Sequence, residues 1–157
     1  MDLSVRRARP DDVAFLAAML AEAMAWRPGS PRPLDSTVLA SRYLVGWPRD
    51  GDRGMVAESG EPVGATWYRL MAADDPGYGF VDATTPEVTI GVVSSWRGRG
   101  IGRRLLVALL DAACSDGHAA LSLSVEEDND ALDLYQSVGF RPFERVGNAW
   151  TMLIHLQ

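Results

Sequence analysis

The sequence predicts a mixed α/β fold, in which one sheet is flanked by helices on both faces. Short apolar segments of strand length alternate along the 157 residues with longer segments whose apolar residues recur at helical spacing. A glycine-rich corner at residues 97–102 joins one of these strands directly to a helix. The resulting order is β-α-α-β-β-β-α-β-α-β-β, and we expect residues 1–157 to form a single domain.

The first half of the chain is predicted to contain a strand, two helices and a hairpin. Apolar residues at positions 13, 16, 20 and 24 follow a Pro-Asp-Asp start, so the first helix is amphipathic. The turn Ser59-Gly60-Glu61 joins the two strands of the hairpin. In order, the elements are a strand at residues 3–8, a helix from Pro10 to about Trp26, a helix from Asp35 or Ser36 to before Pro48, and strands at residues 55–58 and 62–71.

The second half is predicted to alternate strands with helices after a long acidic loop at residues 72–86. A loop of this length in a compact domain is usually functional or mobile. Gly139 is expected to end the last helix, because glycine readily adopts the left-handed conformation. The elements are a strand at residues 87–93, a helix at 101–114, a strand at 121–125, a helix capped by Asn129 or Asp130 and running through Val138, and two closing strands at 140–145 and 150–156.

The composition excludes several classes of protein. A net charge of −6 argues against nucleic acid as the main partner. No apolar run approaches the roughly 20 residues of a membrane-spanning helix. The single cysteine, Cys114, fits a reducing cytoplasm, and we expect it to pack inside the fold. His118 and His155 lack ligand-spaced neighbours, so no metal site is expected.

The segment Arg97-Gly98-Arg99-Gly100-Ile101-Gly102 points to a phosphate-binding site. The first N–H groups of a helix have no partner within the helix, and they carry the positive end of its dipole. A strand that turns into a helix through glycines therefore suits a phosphate or diphosphate, whose oxygens can approach the main chain closely. The two arginines add positive charge.

Three other interpretations compete for this corner. A nucleotide-binding loop of the Walker type requires a lysine after its last glycine, and this chain contains no lysine. A dinucleotide fingerprint requires G-x-G-x-x-G after the first strand, whereas these glycines are spaced G-x-G-x-G and lie beyond the middle of the chain. The glycines could also serve only to permit a tight turn.

Two blocks of sequence resemble the GNAT superfamily of N-acyltransferases. Val92, Arg97, Gly98, Gly100 and Gly102, followed by two leucines, are similar to the acyl-CoA-binding motif of that family. The segment with Asn129, then Ala131-Leu-x-Leu-Tyr135, then Gly139-Phe140, resembles the second block. The long loop is similar to that of a bacterial subgroup. The resemblance implies the GNAT fold, with a central, splayed, largely antiparallel sheet flanked by helices.

The same resemblance implies acetyl-CoA, or another short acyl-CoA, as co-substrate in a V-shaped opening between the strands at 87–93 and 121–125. The corner would bind the diphosphate, and main-chain groups of two strand residues would pair with the pantetheine arm. The Val92 N–H would polarise the thioester carbonyl, and Asn129 would bind the pantetheine side. The implied cofactor-binding residues are Ile90, Val92, Arg97, Gly98, Arg99, Gly100, Ile101, Gly102, Asn129 and Tyr135.

Tyr135 and Glu87 are the predicted catalytic residues. Tyr135 matches the tyrosine that protonates the departing thiolate in many family members, although packing at a helix end is the alternative. Glu87, at the start of its strand, is the leading candidate for the base that deprotonates the amine, with Asp82 and Glu126 in reserve. Plain solvation of a carboxylate at a strand start is the alternative for Glu87. Aromatic side chains on the flanking elements line an acceptor pocket or simply fill the core: Trp26, Tyr43, Trp47, Trp67, Tyr68, Tyr78 and Phe80.

The sequence therefore predicts an acetyl-CoA-dependent N-acetyltransferase that moves an acetyl group to a primary amine by direct attack in a ternary complex. The acceptor is expected to be a small-molecule amine or a protein N-terminus. A catalytically silent acyl-CoA-binding module and a nucleotide-binding protein stay open as alternatives. A homodimer through the closing strands is compatible with the pattern, although no sequence signature indicates one.

Overall fold

The computed structural model describes residues 2–24 and 42–157, and within these ranges it contains a seven-stranded sheet. Helix α1 follows a 3-10 turn at Pro10–Asp12, and a second such turn at Ser94–Trp96 precedes α2. The described elements are β1 (Ser4–Arg7), α1 (Val13–Met24), β2 (Arg53–Ser59), β3 (Glu61–Arg69), β4 (Glu87–Val92), α2 (Ile101–Ser115), β5 (Ala120–Glu126), α3 (Ala131–Val138), β6 (Arg141–Val146) and β7 (Ala149–His155).

The predicted mixed α/β fold is confirmed, with most element bounds within two residues of those expected. The hairpin turn is tighter than predicted, because Ser59 already pairs with Glu61 across Gly60, whose φ is +80°. The predicted helix from Asp35 or Ser36 falls mostly outside the described residues, of which Arg42 and Tyr43 are helical. The predicted end of the first helix near Trp26 also lies outside them.

The sheet separates in its middle, between β4 and β5. Strand order is β1-β2-β3-β4-β5-β7-β6, and β4–β5 is the one parallel pair among the described strands. A single register pair, Glu87 with Ser122, joins them, and the Ser122 N–H donates to the Pro86 carbonyl oxygen at 3.0 Å. Beyond this point the two strands diverge, so the splayed, largely antiparallel sheet that the resemblance implied is present.

The two faces of β4 contact different helices. Val88 belongs to one buried cluster with Tyr68 and with Leu106 and Leu109 of α2. Thr89 instead lies beside Trp67 on the α1 face. Gly91 points at α1, where an added Cβ would overlap the carbonyl group of Met19. The main chains of α1 and β4 therefore lie in direct contact, which brings the end of α1 to the edge of the opening.

Helix α2 is amphipathic and covers the other face of the sheet. Its buried residues, Ile101, Leu105, Leu106, Leu109 and Ala113, form one stripe at helical spacing. Cys114 is exposed, so the expectation that it packs inside was wrong: it follows Ala113 by one position, about 100° around the helix. No helix within residues 2–24 and 42–157 is long and apolar enough to cross a membrane.

Candidate functional site

A groove of about 620 Å³ opens where β4 and β5 separate, and the glycine corner forms one of its walls. Its opposite wall is the start of α3, and the end of α1 closes one side. The lining residues are Glu22, Ala23, Ile90, Gly91, Val92, Trp96, Arg97, Gly98, Gly100, Ile101, Gly102, Arg103, Asn129, Asp130, Ala131, Leu134 and Tyr135.

The corner needs glycine at two positions for its backbone conformation. Gly98 and Gly100 have φ values of +76° and +78°, and a Cβ at either would meet no atom within 4 Å. Gly100 is the residue before the first turn of α2, and its carbonyl oxygen accepts the Arg104 N–H at 3.2 Å. The N–H groups of residues 101–103, which come before Arg104 in the helix, therefore have no acceptor within the helix, and these residues line the groove.

The two arginines of the corner are placed differently. Arg97 lines the groove, where its Nη2 contacts Glu22 Oε2 at 2.9 Å and its Nε donates to the Val92 carbonyl oxygen at 3.4 Å. The guanidinium of Arg99 instead lies over the Trp96 ring, 4.7 Å from its centroid. Of these two arginines, Arg97 is thus the one that lines the groove.

Asn129 and Tyr135 lie on the wall opposite the corner. Asn129 comes just before α3, and Tyr135 lies on α3. The Asn129 side-chain oxygen accepts the Ala131 N–H at 2.9 Å, so Asn129 and not Asp130 caps this helix through its side chain. Tyr135 is buried, and its ring meets Phe140 edge to face, with centroids 6.2 Å apart. Both residues line the groove and the pocket next to it.

The adjoining pocket lies deeper in the opening and contains two carboxylates and three phenols. Ala23, Ile90, Asn129 and Tyr135 belong to both cavities, so the groove leads into this pocket. The lining residues are Ala23, Met24, Tyr43, Tyr78, Glu87, Val88, Thr89, Ile90, Leu123, Ser124, Val125, Glu126, Asn129 and Tyr135.

Glu87 occupies the position where β4 and β5 are still bonded, and it is only 3% exposed. The Tyr43 hydroxyl donates to Glu87 Oε2 at 2.7 Å. The same hydroxyl oxygen accepts the Tyr78 N–H at 2.9 Å, so three parts of the chain converge here. A buried carboxylate in a pocket that adjoins the groove is in a suitable place to accept a proton.

The two reserve carboxylates differ in position. Glu126, at the end of β5, is buried and lies on the opposite wall of the pocket from Glu87. Asp82 is exposed and does not line the pocket. Its Oδ1 accepts hydrogen bonds from the Thr84 N–H and hydroxyl, both at 2.9 Å, and the Thr84 hydroxyl bond is the main cause of its lowered pKa. Asp82 thus stabilises a surface turn and lies outside the pocket.

The aromatic residues divide into cleft and core. Of the seven aromatic residues expected near the acceptor opening, Tyr43 and Tyr78 line the pocket, whereas the other described members of this set do not. Tyr68 faces α2, because it is one residue away from Trp67 and successive strand residues point to opposite faces. The remaining members pack into the α1 side of the core or lie outside the described residues: Trp47, Trp67 and Phe80 in the former group, and Trp26 in the latter.

The histidines contribute to neither cavity. His118 packs edge to face on Tyr68, with ring centroids 5.2 Å apart, and His155 is exposed at the end of β7. In the part of the chain that the structure describes, no group of three or more histidine, cysteine or acidic side chains is arranged to hold a metal ion.

Two features of the site were not predicted from the sequence. One is the contact of Glu22 with Arg97, and the other is the hydrogen bond between Tyr43 and Glu87. Each joins residues far apart in the chain, with no local pattern relating them. The helical spacing of α1 places Glu22 near its end, but only the packing of α1 on β4 brings it to the groove.

Comparisons with known proteins agree with this geometry. The model of the acetyltransferase (GNAT) family matches residues 19–140, which is most of the chain. The chain is 55% identical over 60 residues to the N-alpha-acetyltransferase RimI of Mycobacterium tuberculosis, a match that covers 38% of this chain. That match spans 34% of RimI, so the chain corresponds to about a third of this relative's length.

Solved structures of similar fold cover nearly the whole chain. The ribosomal-protein-alanine N-acetyltransferase of Brucella melitensis is 26% identical, with a TM-score of 0.71 over 98% of this chain and 99% of that one. The Salmonella typhimurium protein yncA, solved with its cofactor acetyl-CoA, is 22% identical, with a TM-score of 0.73 over 100% of this chain and 95% of that one. At 22% identity, the likeness to yncA shows the fold alone.

Proposed function

Because this chain belongs to the acetyltransferase (GNAT) family, we propose that it transfers an acetyl group from acetyl-CoA to a primary amine. One observation carries the proposal. The groove beside the glycine corner leads into a pocket with a buried carboxylate, and Tyr135 lies where the two cavities meet. A donor held along the groove would therefore present its thioester to an amine held in the pocket.

The corner is proposed to bind the diphosphate of coenzyme A. The N–H groups from Arg99 to Gly102 and the guanidinium of Arg97 supply hydrogen bonds and positive charge. The register of β4 with β5 ends at Glu87, which leaves the edge of β4 near Ile90 and Val92 open to the pantetheine arm. Asn129 faces the same arm from the other wall. The acetyl-CoA complex of the Salmonella protein supports this choice of co-substrate.

The reaction follows from the placement of three groups. Glu87 takes a proton from the ammonium, and the free amine attacks the thioester carbonyl, forming the C–N bond. The Val92 N–H stabilises the negative charge on the carbonyl oxygen, a contribution of about 3 kcal/mol in well-studied cases. As the C–S bond breaks, the Tyr135 hydroxyl gives a proton to the thiolate, and the second proton that the nitrogen loses on becoming an amide restores the phenol. The transfer is direct, within a ternary complex, and uses no covalent intermediate on the enzyme.

The acceptor is proposed to be the amine of a protein N-terminus or of a small molecule. RimI is named as an N-alpha-acetyltransferase and the Brucella protein as a ribosomal-protein-alanine N-acetyltransferase, which supports the first class. The carboxylates of Glu87 and Glu126 on the pocket walls would attract either class of acceptor, since protein N-termini and small-molecule amines both carry an ammonium group.

The test is a screen of amine acceptors with acetyl-CoA, read as released thiol. Peptides with different N-terminal residues, alkylamines and amino acids form the panel. We expect acetyl-CoA-dependent thiol release with at least one class, and binding of coenzyme A but not NAD by calorimetry. Coenzyme A binding without thiol release across the panel would indicate a silent acyl-CoA-binding module. NAD binding without coenzyme A binding would indicate a nucleotide-binding protein.

Three coarser expectations complete the proposal. We propose that residues 1–157 act as one domain, since the strands from Ser4 to His155 form one sheet. A cytoplasmic location is proposed from the single cysteine. A homodimer would use the closing strands, because every residue of β6 is exposed. Gel filtration with light scattering measures the molecular mass in solution and so tests for the homodimer.

A further inference from the structure

A chain of two hydrogen bonds leads from the long loop to Glu87. The Tyr78 N–H donates to the Tyr43 hydroxyl oxygen at 2.9 Å, and that hydroxyl donates to Glu87 Oε2 at 2.7 Å. Tyr43 is 2% exposed and Glu87 3% exposed. Because the phenol oxygen accepts from a main-chain N–H, its own proton is directed at the carboxylate. Successive donors in such a chain polarise one another, most strongly away from water.

The long loop, residues 72–86, is shaped around this arrangement. An added Cβ at Gly77 would overlap Glu87 Oε1, and it would also lie 2.8 Å from the Tyr43 oxygen. Two residues later, a Cβ at Gly79 would lie 2.6 Å from the carbonyl carbon of Leu123 on β5. The Ser122 hydroxyl donates to the Gly79 carbonyl oxygen at 2.7 Å. The loop thus crosses both strands at the point where they separate.

Other titratable groups surround Glu87 from each described element that packs on it. Arg69 of β3 is its cross-strand neighbour, but this guanidinium is bound to Asp52 through Nε at 3.0 Å and Nη2 at 2.6 Å. Glu126 of β5, Tyr135 of α3 and Tyr78 of the loop line the same pocket. Among these groups, Tyr43 donates a hydrogen bond to the Glu87 carboxylate.

We propose that Tyr43 is a positioning residue, which keeps Glu87 ionised and oriented to accept a proton from the acceptor amine. This inference rests on the proposed function for the identity of the proton donor. A hydrogen bond donated to a carboxylate favours its charged form, and it offsets the cost of burying that charge. The loop contributes by directing the phenol, which gives residues 72–86 a function at the site.

The experiment compares Tyr43→Phe with wild type by two readouts. The first is the pH dependence of kcat/KM for acetyl transfer, and the second is the NMR titration of the Glu87 carboxyl carbon. We expect the acid limb of the profile and the NMR midpoint to move together to higher pH, by about one pH unit. At pH values below both midpoints, this shift lowers kcat/KM about tenfold. The loss becomes smaller as pH rises towards the plateau of the profile. A purely structural role for the hydroxyl would lower activity equally at all pH values.

Tyr68→Phe is the matched control. It also removes a buried phenol that donates to a carboxylate, that of Asp116, but Tyr68 lines neither cavity. We expect its profile and Glu87 titration to match those of wild type. Gly77→Ala is the second variant: it keeps the hydroxyl and places a methyl group against the carboxylate, so both readouts should shift in the same direction as in Tyr43→Phe.

The outcomes separate the two proposals. An unchanged Glu87 titration in both Tyr43→Phe and Gly77→Ala overturns the role of Tyr43, whether or not the enzyme is active. Wild-type protein that transfers acetyl to no amine overturns the proposed function, while the NMR titration still decides the role of Tyr43. A shifted titration with an unshifted rate profile shows that Tyr43 acts on Glu87 but that Glu87 is not the base, which overturns the inference.

Discussion

At the scale of single residues, the site depends on a phenol placed where two cavities join. Tyr135 is held by its ring contact with Phe140, and it faces both the groove and the pocket. A phenol with an ordinary pKa near 10 is a suitable acid for a departing thiolate.

Tyr135→Phe should lower turnover at least tenfold and leave coenzyme A affinity nearly unchanged. The substitution removes the proton donor but preserves the packed ring. Steady-state kinetics gives kcat, and calorimetry gives the dissociation constant of coenzyme A. Unchanged turnover would reassign the acid to another group.

Glu87→Gln should lower kcat/KM by about two orders of magnitude or more and move the pH–rate profile to higher pH. An amide cannot accept the proton of the ammonium, so the reaction then depends on amine that is already neutral in solution. Asp82→Asn is the matched control, because Asp82 is exposed and lies outside the pocket. A Glu87→Gln profile identical to wild type would exclude Glu87 and direct attention to Glu126.

At the scale of elements, α1 and the glycine corner are connected across the groove by one ion pair. Glu22 and Arg97 are 2.9 Å apart, with side chains 37% and 45% exposed. Both residues line the groove in which we place the diphosphate. The carboxylate therefore competes with that diphosphate for the guanidinium and repels its negative charge.

Glu22→Gln should tighten coenzyme A binding by a factor of about two to five, which matches the strength of exposed ion pairs. Calorimetry at low and high salt measures the effect, which should shrink at about 1 M NaCl because salt screens exposed charges. Pantetheine, which lacks the diphosphate, is the control ligand and should bind both proteins equally. Weaker coenzyme A binding by the variant would show that Glu22 instead holds Arg97 in its binding position.

At the scale of the whole molecule, a cluster of charged and aromatic groups joins the C-terminal end of α2 to the sheet. Arg53 of β2 contacts Asp116 after α2 through Nε at 3.0 Å and Nη2 at 2.5 Å, and the Tyr68 hydroxyl donates to the same carboxylate. The hydrogen bond from Arg53 is the main cause of the lowered pKa of Asp116. Burial, with the bond to this carboxylate, raises the pKa of Tyr68.

Asp116→Asn should destabilise the protein by about 1 kcal/mol at pH 7, since the pair is partly exposed. A carboxyl group whose pKa is lower in the folded state stabilises the fold above its unfolded pKa, and this contribution disappears as pH falls through the folded value. The difference between variant and wild type should therefore shrink below about pH 4. Urea unfolding at several pH values measures it. A difference that persists at low pH would assign the effect to packing.

Much of the fold was predictable because its signals are local. The stripe of α2 and the glycine that ends α3 lie within a few residues of the structure they specify. The corner was recognisable for the same reason, as Gly98 and Gly100 need positive φ values. The interior position of Cys114 was wrong because one position around a helix separates a buried residue from an exposed one.

The sequence by itself determined the order of the described elements, because spacing along a strand or a helix encodes which face is apolar. It also determined the glycine corner, because the positive φ values of Gly98 and Gly100 favour glycine. Only the tertiary structure decided which side chains come together in the groove and in the adjoining pocket. The separation of β4 from β5, the approach of Glu22 to Arg97, and the bond between Tyr43 and Glu87 join residues that are distant in the chain. Such contacts depend on how whole elements pack against one another, and no periodicity within a single element records that packing.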